Sequence, residues 1–357
     1  MDVSEISTPG VNILFVHNHP TSFVRQDLDC LRQHYRVSEL HLASRRVNLF
    51  SLWRQVQGHD LVFGWFASWH TFLPVLCARC LSKPSVLVVG GYDLANIPAA
   101  KTTIGYGHQR GGAKKWISRA AMRLADTLIT NSHYSRCEAM ENAGVDRAKL
   151  NVIYHGVPDI AGPLSRRARE PMAITVGNVD RPNLWRKGLE PFVRAASLLP
   201  EVKFAVIGAW KDDAIDHLRS IAAPNVEFTG WVDDAALLDY NLRAAVYVQA
   251  SRHEGFGMSV AEAMLAGCIP VVTRAGALPE VAGDCGVYSE STEPRQLAQA
   301  IRRALDMPEA AREQARQRVL TQFPVLQREA RLSGIVSQLT GRHAPPAAER
   351  LSPSVRT

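Results

Sequence analysis

Glu254-Gly255-Phe256-Gly257-Met258-Ser259-Val260-Ala261-Glu262 follows the apolar run Ala245–Gln249 and opens a segment of helical period. Gly255 and Gly257 carry no side chain to keep a ligand away from the backbone. A helix start offers unpaired N–H groups and the positive end of the helix dipole, which together suit a diphosphate. Glu254 falls on the loop and Glu262 on the first turns of the helix, so the two acids can touch different parts of one extended ligand. A carboxylate that accepts two hydroxyl hydrogen bonds makes a good ribose or hexose clamp. Gly-x-Gly before a helix is more often a plain turn, and it also suggests a dinucleotide fingerprint. The third glycine of that fingerprint is Val260 here, and the next strand closes at Thr273-Arg274 without an acid. Both departures weaken a nicotinamide reading.

Upstream, Arg186-Lys187-Gly188 opens the predicted helix Gly188–Leu199. Two fixed cations at a helix start can neutralise a diphosphate leaving group without a metal, Arg as a planar fork and Lys as a point charge. Alone, such a pair is a solvated helix start; in one domain with the glycine-rich loop it points to phosphate chemistry.

Around these motifs the whole chain alternates β-branched runs with helix-period segments. The first half reads strands at Val11–His17, Arg36–Leu42, Asp60–Phe66, Ser85–Val89, Thr127–Thr130 and Leu150–Tyr154, with helical segments between them. Pro158 to Pro171 lacks apolar periodicity and reads as a linker. The pattern then restarts with strands at Ala173–Val176, Lys203–Ile207, Val226–Phe228, Ala245–Gln249 and Ile269–Thr273. Strands separated by helices imply parallel βαβ units. The expected organisation is therefore α/β, with Rossmann-like doubly wound domains over 1–160 and 171–325. A last helix over 326–341 and a disordered tail over 342–357 complete it. Such sheets bind ligands outside the carboxyl ends of their strands, so two of them place the natural site in the cleft between.

Composition agrees. The 357 residues are 46% apolar and 21% charged, the balance of a soluble globular protein of about two domains. No run reaches the length of a transmembrane helix, and the polar start Met1–Gly10 lacks the basic and apolar parts of a secretory signal. A cytoplasmic protein with free thiols is expected. Net charge is +7, and Lys101, Arg110, Lys114, Lys115, Arg119 and Arg123 form a run with no acid among them. No nucleic-acid module accompanies that charge, so no nucleic-acid partner is expected.

With these segments in order, the chain resembles glycosyltransferase family 4, the glycosyl transferases group 1 of the GT-B fold. Glu254 and Glu262 look like the family's spaced pair of glutamates, and Arg186 and Lys187 like its basic pair, after a strand ending in Gly177. Val206-Ile207-Gly208, Phe228-Thr229-Gly230, Gly267-Cys268-Ile269-Pro270-Val271-Val272 and Leu278-Pro279-Glu280-Val281 fall where the family has similar segments. The resemblance implies two Rossmann-like domains facing a cleft, with a C-terminal helix crossing back. It implies a donor sugar nucleotide against the C-terminal domain, on Gly177, Gly255, Phe256, Gly257 and Met258. Glu262 would hold the ribose, and the backbone from Gly230 to Val232 would face the base. Arg186 and Lys187 would stabilise the departing diphosphate, and Glu254 would bind sugar hydroxyls. It further implies retention of anomeric configuration, with no metal and no cofactor.

The first half departs from the family pattern. The loop after the first strand reads His17-Asn18-His19-Pro20-Thr21-Ser22-Phe23 rather than glycine-rich, and Gly90-Gly91-Tyr92-Asp93 stands where relatives carry a histidine. Asp93 would then be a polar contact to donor sugar or acceptor, or a turn cap. His155 replaces the common hinge asparagine, and His70 is placed to reach the cleft or to pack. Asp27-Leu28-Asp29 and Cys77/Cys80 are read as structural, since neither spacing makes a metal site here. In the basic segment 110–124, Trp116, Ile117, Ala120, Ala121 and Leu124 fall on one helical face. That face either meets the core or docks on anionic lipid.

The expected activity is a retaining hexosyltransferase acting from a nucleotide-diphosphate sugar onto a hydroxyl of a glycan, lipid-linked or small-molecule acceptor. A non-catalytic sugar-nucleotide binder and a GT-B epimerase are the alternatives.

Overall fold

The structure, a computed structural model, describes residues 10–44, 46–99, 105–162 and 169–342. Lys101, the middle of the expected linker and the expected tail from 343 onward lie outside the described residues.

Two six-stranded sheets follow one another in the chain. The first contains β1 (Asn12–His17), β2 (Arg36–His41), β3 (Leu61–Trp65), β4 (Ser85–Val89), β5 (Thr127–Thr130) and β6 (Leu150–Val152), in the order β2-β1-β3-β4-β5-β6. The second contains β7 (Glu170–Val176), β8 (Lys203–Ile207), β9 (Val226–Gly230), β10 (Ala244–Gln249), β11 (Ile269–Val272) and β12 (Val287–Tyr288), in the order β12-β11-β10-β7-β8-β9. Neighbours pair in parallel throughout. Parallel strands need helical crossovers, which cover both faces, so β3, β4 and β10 are buried along their whole length.

The helices begin where side chains satisfy the orphan N–H groups. Asn48 accepts from Ser51, Ser132 from Ser135, Asp180 from Asn183 and Asp233 from Ala236, at 2.8 to 3.0 Å. Each sheet reverses its strand order once, between β1 and β3 and between β7 and β10. At such a switch point adjacent crossovers run to opposite faces and leave a crevice outside the strand ends. This is the α/β GT-B arrangement of two doubly wound sheets.

The expected helix Gly188–Leu199 needs a correction. A short helix, Arg181–Arg186, precedes it; Gly188 takes a left-handed φ of 69°, and the next helix runs over Leu189–Ala195 and tightens into a 3-10 turn over Ala196–Leu198. Arg186 therefore closes one helix instead of opening another. The cause is Asp180-Arg181-Pro182-Asn183, an N-cap with proline in the first turn, which nucleates a helix too short for periodicity to reveal.

The chain crosses between the halves twice. The first crossing follows β6, and the second leads from Phe323 into the last helix, Val325–Thr340. That helix lies on the first half, where Leu332, Ile335 and Val336 join Ile13, Phe15 and Phe63 in one core cluster. The crossings touch: the Val157 N–H donates to the Phe323 carbonyl at 2.8 Å, and a Cβ on Gly156 would lie 2.7 Å from the Val325 Cα. Arg328 fixes the returning helix. Its guanidinium pairs with both oxygens of the buried Asp27 at 2.5 and 2.7 Å and donates to the Ile153 and Tyr154 carbonyls. Asp27 also accepts from the Trp65 indole at 3.0 Å.

Removing one member of so buried a pair strands the other charge. Arg328→Ala or Asp27→Ala is expected to cost about 3–5 kcal/mol in denaturant unfolding, with the Asp27→Leu/Arg328→Met double variant less affected than either. Additive losses in the double variant would show that the pair is not coupled.

Candidate active site

The two sequence motifs meet because of the second switch point. Gly177 follows β7, the loop 250–257 follows β10, and these are the neighbouring strands at which the order reverses. Lys187 lies across Gly177: a Cβ there would sit 2.7 Å from the lysine Cδ. Glycine is required to let the side chain pass. Nζ lies 3.5 Å from the Val176 carbonyl. Burial pushes the Lys187 ammonium below its ordinary range, and the nearby Glu254 carboxylate opposes that. Arg186 is held by Asn183, whose Oδ1 accepts from Nη2 at 2.6 Å and from Nε at 3.1 Å. Asn183 in turn donates to Asp180 and to the Asn178 carbonyl. The short helix that sequence periodicity overlooks is thus the mount of the guanidinium.

The loop carrying Glu254 is fixed from both sides. Beneath it, Ala277 N–H donates to the Glu254 carbonyl at 2.9 Å, and Gly276, at φ 61°, leaves no space for a side chain against that carbonyl. Above it, the Ser132 hydroxyl of the first half donates to the Gly255 carbonyl at 2.7 Å. His253 meets Glu138 at 2.9 Å, a buried contact that also joins the halves. Glu280 accepts from the His133 and Tyr134 N–H groups and from the Tyr154 hydroxyl at 2.8 to 2.9 Å. Gly255 therefore serves close approach to the first half: its Cβ would lie 3.2 Å from Gly91 N.

Between the halves a cavity of about 320 Å³ is walled on one side by Lys187, Glu254, Gly257 and Met258, and on the other by Gly91, Tyr92, Tyr106 and His155. Gly255 and Phe256 also line it, whereas Gly177, Arg186, Glu262, Gly230 and Val232 are not in its wall. Glu262 stands on the helix Met258–Leu265, half-buried, and burial raises its carboxyl above the ordinary range with help from Asp234. Gly230 ends β9 at φ 73°, its carbonyl accepting from Gly208 N–H, with Val232 half-buried just beyond.

The acceptor-side residues divide. His155 reaches the cavity, buried between Trp65, stacked at 5.9 Å, and Phe256 at 5.1 Å, and burial holds its ring neutral well below the ordinary histidine range. Asp93 is occupied as a turn cap: its oxygens accept from Ala67 N–H at 2.9 Å and Gly90 N–H at 3.0 Å. His70 sits 2.7 Å from the Trp65 carbonyl, buried, and lowered to about 4 by that burial. The helix Gly112–Leu124 turns Ser118, Ala121 and Met122 to the core and leaves Trp116 outside at 68% exposure, so the expected single apolar face is split. Arg119 donates inward to Gln109 and the Asn142 carbonyl.

Sequence reasoning missed Tyr106, whose ring centroid lies 5.0 Å from the Arg186 guanidinium carbon and 5.5 Å from His253. It lies in an irregular stretch with no pattern to flag it.

A family model described as Glycosyltransferase Family 4 matches residues 11–159, and one described as Glycosyl transferases group 1 matches residues 170–307. The chain belongs to glycosyltransferase family 4. It is 27% identical to glycogen synthase of Mycobacterium tuberculosis over 305 residues, covering 76% of this chain and 72% of that protein. It is 30% identical to O-antigen chain mannosyltransferase B of Escherichia coli over 129 residues, 34% of each. Among solved structures, HepE of Anabaena in complex with UDP and glucose superposes with a TM-score of 0.73 at 17% identity, covering 92% of this chain and 100% of that one. Sucrose-phosphate synthase of Thermosynechococcus elongatus gives 0.74 at 18%, covering 93% and 99%. These two share the GT-B fold of this glycosyltransferase.

Gly177→Ala is expected to displace Lys187 and lower turnover by about tenfold or more while thermal stability changes little; unchanged turnover would separate Gly177 from the lysine. Asp93 offers a pH test. Burial raises its carboxyl to about 7, so the folded state holds a proton that the unfolded chain releases near pH 4. Its contribution to stability is greatest when protonated and declines as pH rises between about 4 and 7. The Tm of Asp93→Asn relative to the parent is therefore expected to improve across that window, and a flat difference would contradict the raised value.

Proposed function

We propose that this glycosyltransferase moves a hexose, with retention, from a nucleotide-diphosphate sugar to an acceptor hydroxyl. The observation that carries the reading is the placement of Lys187 and Glu254 on one wall of the interlobe cavity, beside the start of the helix Met258–Leu265. The Anabaena neighbour, solved in complex with UDP and glucose, supports a uridine donor.

In this reading the nucleotide lies on the second half, with the base toward Gly230 and Val232 and the ribose hydroxyls on Glu262. Arg186 leaves Tyr106 to reach the diphosphate, and Lys187 supplies the second charge. Glu254 accepts from sugar hydroxyls. The bond from the anomeric carbon to the diphosphate breaks as the bond to the acceptor oxygen forms on the same face. The acceptor proton passes to the departing phosphate oxygen. The protein's share is electrostatic: two cations aimed at the charge that develops on the leaving group in a low-dielectric cleft. With those charges supplied by side chains, we propose that neither metal nor cofactor is required. We also propose peripheral contact with anionic membranes. Trp116 with Lys114, and Leu49 with Phe50, stand exposed near the starts of the helices that follow β4 and β2.

Lys187→Ala and Glu254→Ala are each expected to lower kcat by about 100-fold or more with folding intact. The assay uses UDP-hexoses with and without a chelator, and the product anomer is read by NMR. Near-parental activity in both variants would defeat the site, an inverted product the stereochemistry, and abolition by chelator the metal-free reading. Flotation with anionic vesicles is expected to weaken in Trp116→Ala, and parental protein that stays with the soluble fraction at low salt would remove the membrane contact.

A further inference from the structure

The first sheet has a switch point of its own, between β1 and β3, and a second cavity of about 390 Å³ opens there. Asn18 and His19 follow β1 into it; Phe66, Ser68, Trp69 and His70 follow β3. Phe66 and Tyr92 line this cavity and the donor cavity alike, so the two are neighbours with a shared aromatic wall. Phe66 takes a left-handed φ of 63°, unusual for a bulky residue, and is pinned there by Val88, whose carbonyl accepts its N–H at 2.8 Å, and by the Thr71 hydroxyl at 2.7 Å.

The electrostatics of this cavity have one sign. Two helices, Trp69–Cys80 and Gly112–Leu124, present their N-terminal turns to it through Trp69 and His70 and through Ala113 and Lys114. Neither has an acid in its first turn. Lys114 and His19 add side-chain donors. Asp93 is the one acid in the wall, and its oxygens are already taken by Ala67 and Gly90 N–H groups. His70 and His108 supply the complementary chemistry. A carbonyl only accepts, so the His70 nitrogen facing Trp65 carries the hydrogen, and buried Nδ1 is left as an acceptor without a partner. His108 likewise leaves a buried Nδ1 without a partner. Donors and dipoles for an anion thus stand beside neutral imidazoles that accept from hydroxyls, with Trp69 and Tyr92 as flat apolar surfaces.

We infer that this cavity binds the acceptor, and that the acceptor is a polyol carrying a phosphate group, held by Lys114, His19 and the two helix N-termini. The inference rests on the transferase reading above. The phosphate belongs to a free sugar phosphate or to a lipid headgroup, and the experiment separates the two.

Calorimetric titrations of the full chain, saturated with UDP, compare glucose 6-phosphate with glucose, and phosphatidylglycerol vesicles with phosphatidylcholine vesicles. The phosphorylated member of at least one pair is expected to bind about tenfold more tightly or better. That preference should disappear in Lys114→Glu and persist in Arg123→Glu, at the far end of the same helix and outside both the cavity and the proposed membrane contact. Preference in the first pair identifies a free phosphate ester, and preference in the second alone a lipid-borne one. No preference in either pair, or one that survives Lys114→Glu, overturns the inference. UDP binding in the same samples keeps the two readings apart: if UDP binds and neither pair discriminates, the acceptor inference fails alone, and if UDP does not bind, the donor reading has failed.

Discussion

The helix His133–Glu141 begins with N–H groups that its own half of the molecule leaves to the other half. Glu280 takes two of them, and Ser132, the N-cap, turns its hydroxyl to the Gly255 carbonyl. A helix start must find acceptors, and here the acceptors belong to the loop and helix that flank Glu254. The register between the sheets is thereby set by backbone groups with little freedom. The position of Glu254 opposite Gly91, the burial of His253 against Glu138 and the shape of the cavity all follow from it.

That register also explains why the second half reads more plainly than the first. Close packing around Lys187 and the loop 250–257 asks for fixed backbone geometry, so glycines at 177, 255 and 257 and cations at 186 and 187 leave a compact trace in sequence. Strands are legible for a similar reason: parallel strands buried on both faces are continuous apolar runs, and Ser85–Val89, Thr127–Thr130 and Lys203–Ile207 fall where the runs fall. The six-residue helix Arg181–Arg186 escapes because it is shorter than the window in which a 3.6-residue period can be recognised. Its signal was in the cap, Asp180 with Pro182, rather than in the pattern. Tyr106 and Glu138 escape altogether, since each acts across the cleft on a partner more than seventy residues away.

Asp93 and His70 show the other side of legibility. Both line a cavity, but the Asp93 oxygens and one His70 nitrogen are turned on nearby backbone. They shape the turn after β4 and the turn after β3, and of their polar atoms the His70 Nδ1 is left without a partner. A buried polar side chain beside a site is often spent on holding the site's backbone, because those backbone groups have no ladder partners of their own.

The paired crossings have a mechanical meaning. A body tied to another by one flexible strand can roll, twist and swing. Tied by two strands that touch, as at Val157 with Phe323 and Gly156 with Val325, it loses the roll and the twist and keeps one swing about the line they share. A swing about that line would change the separation of Arg186 and Tyr106 and leave unchanged which side chains face each other. Alignment of the two walls of the cavity is then a property of the paired crossings themselves, independent of what lies between the walls.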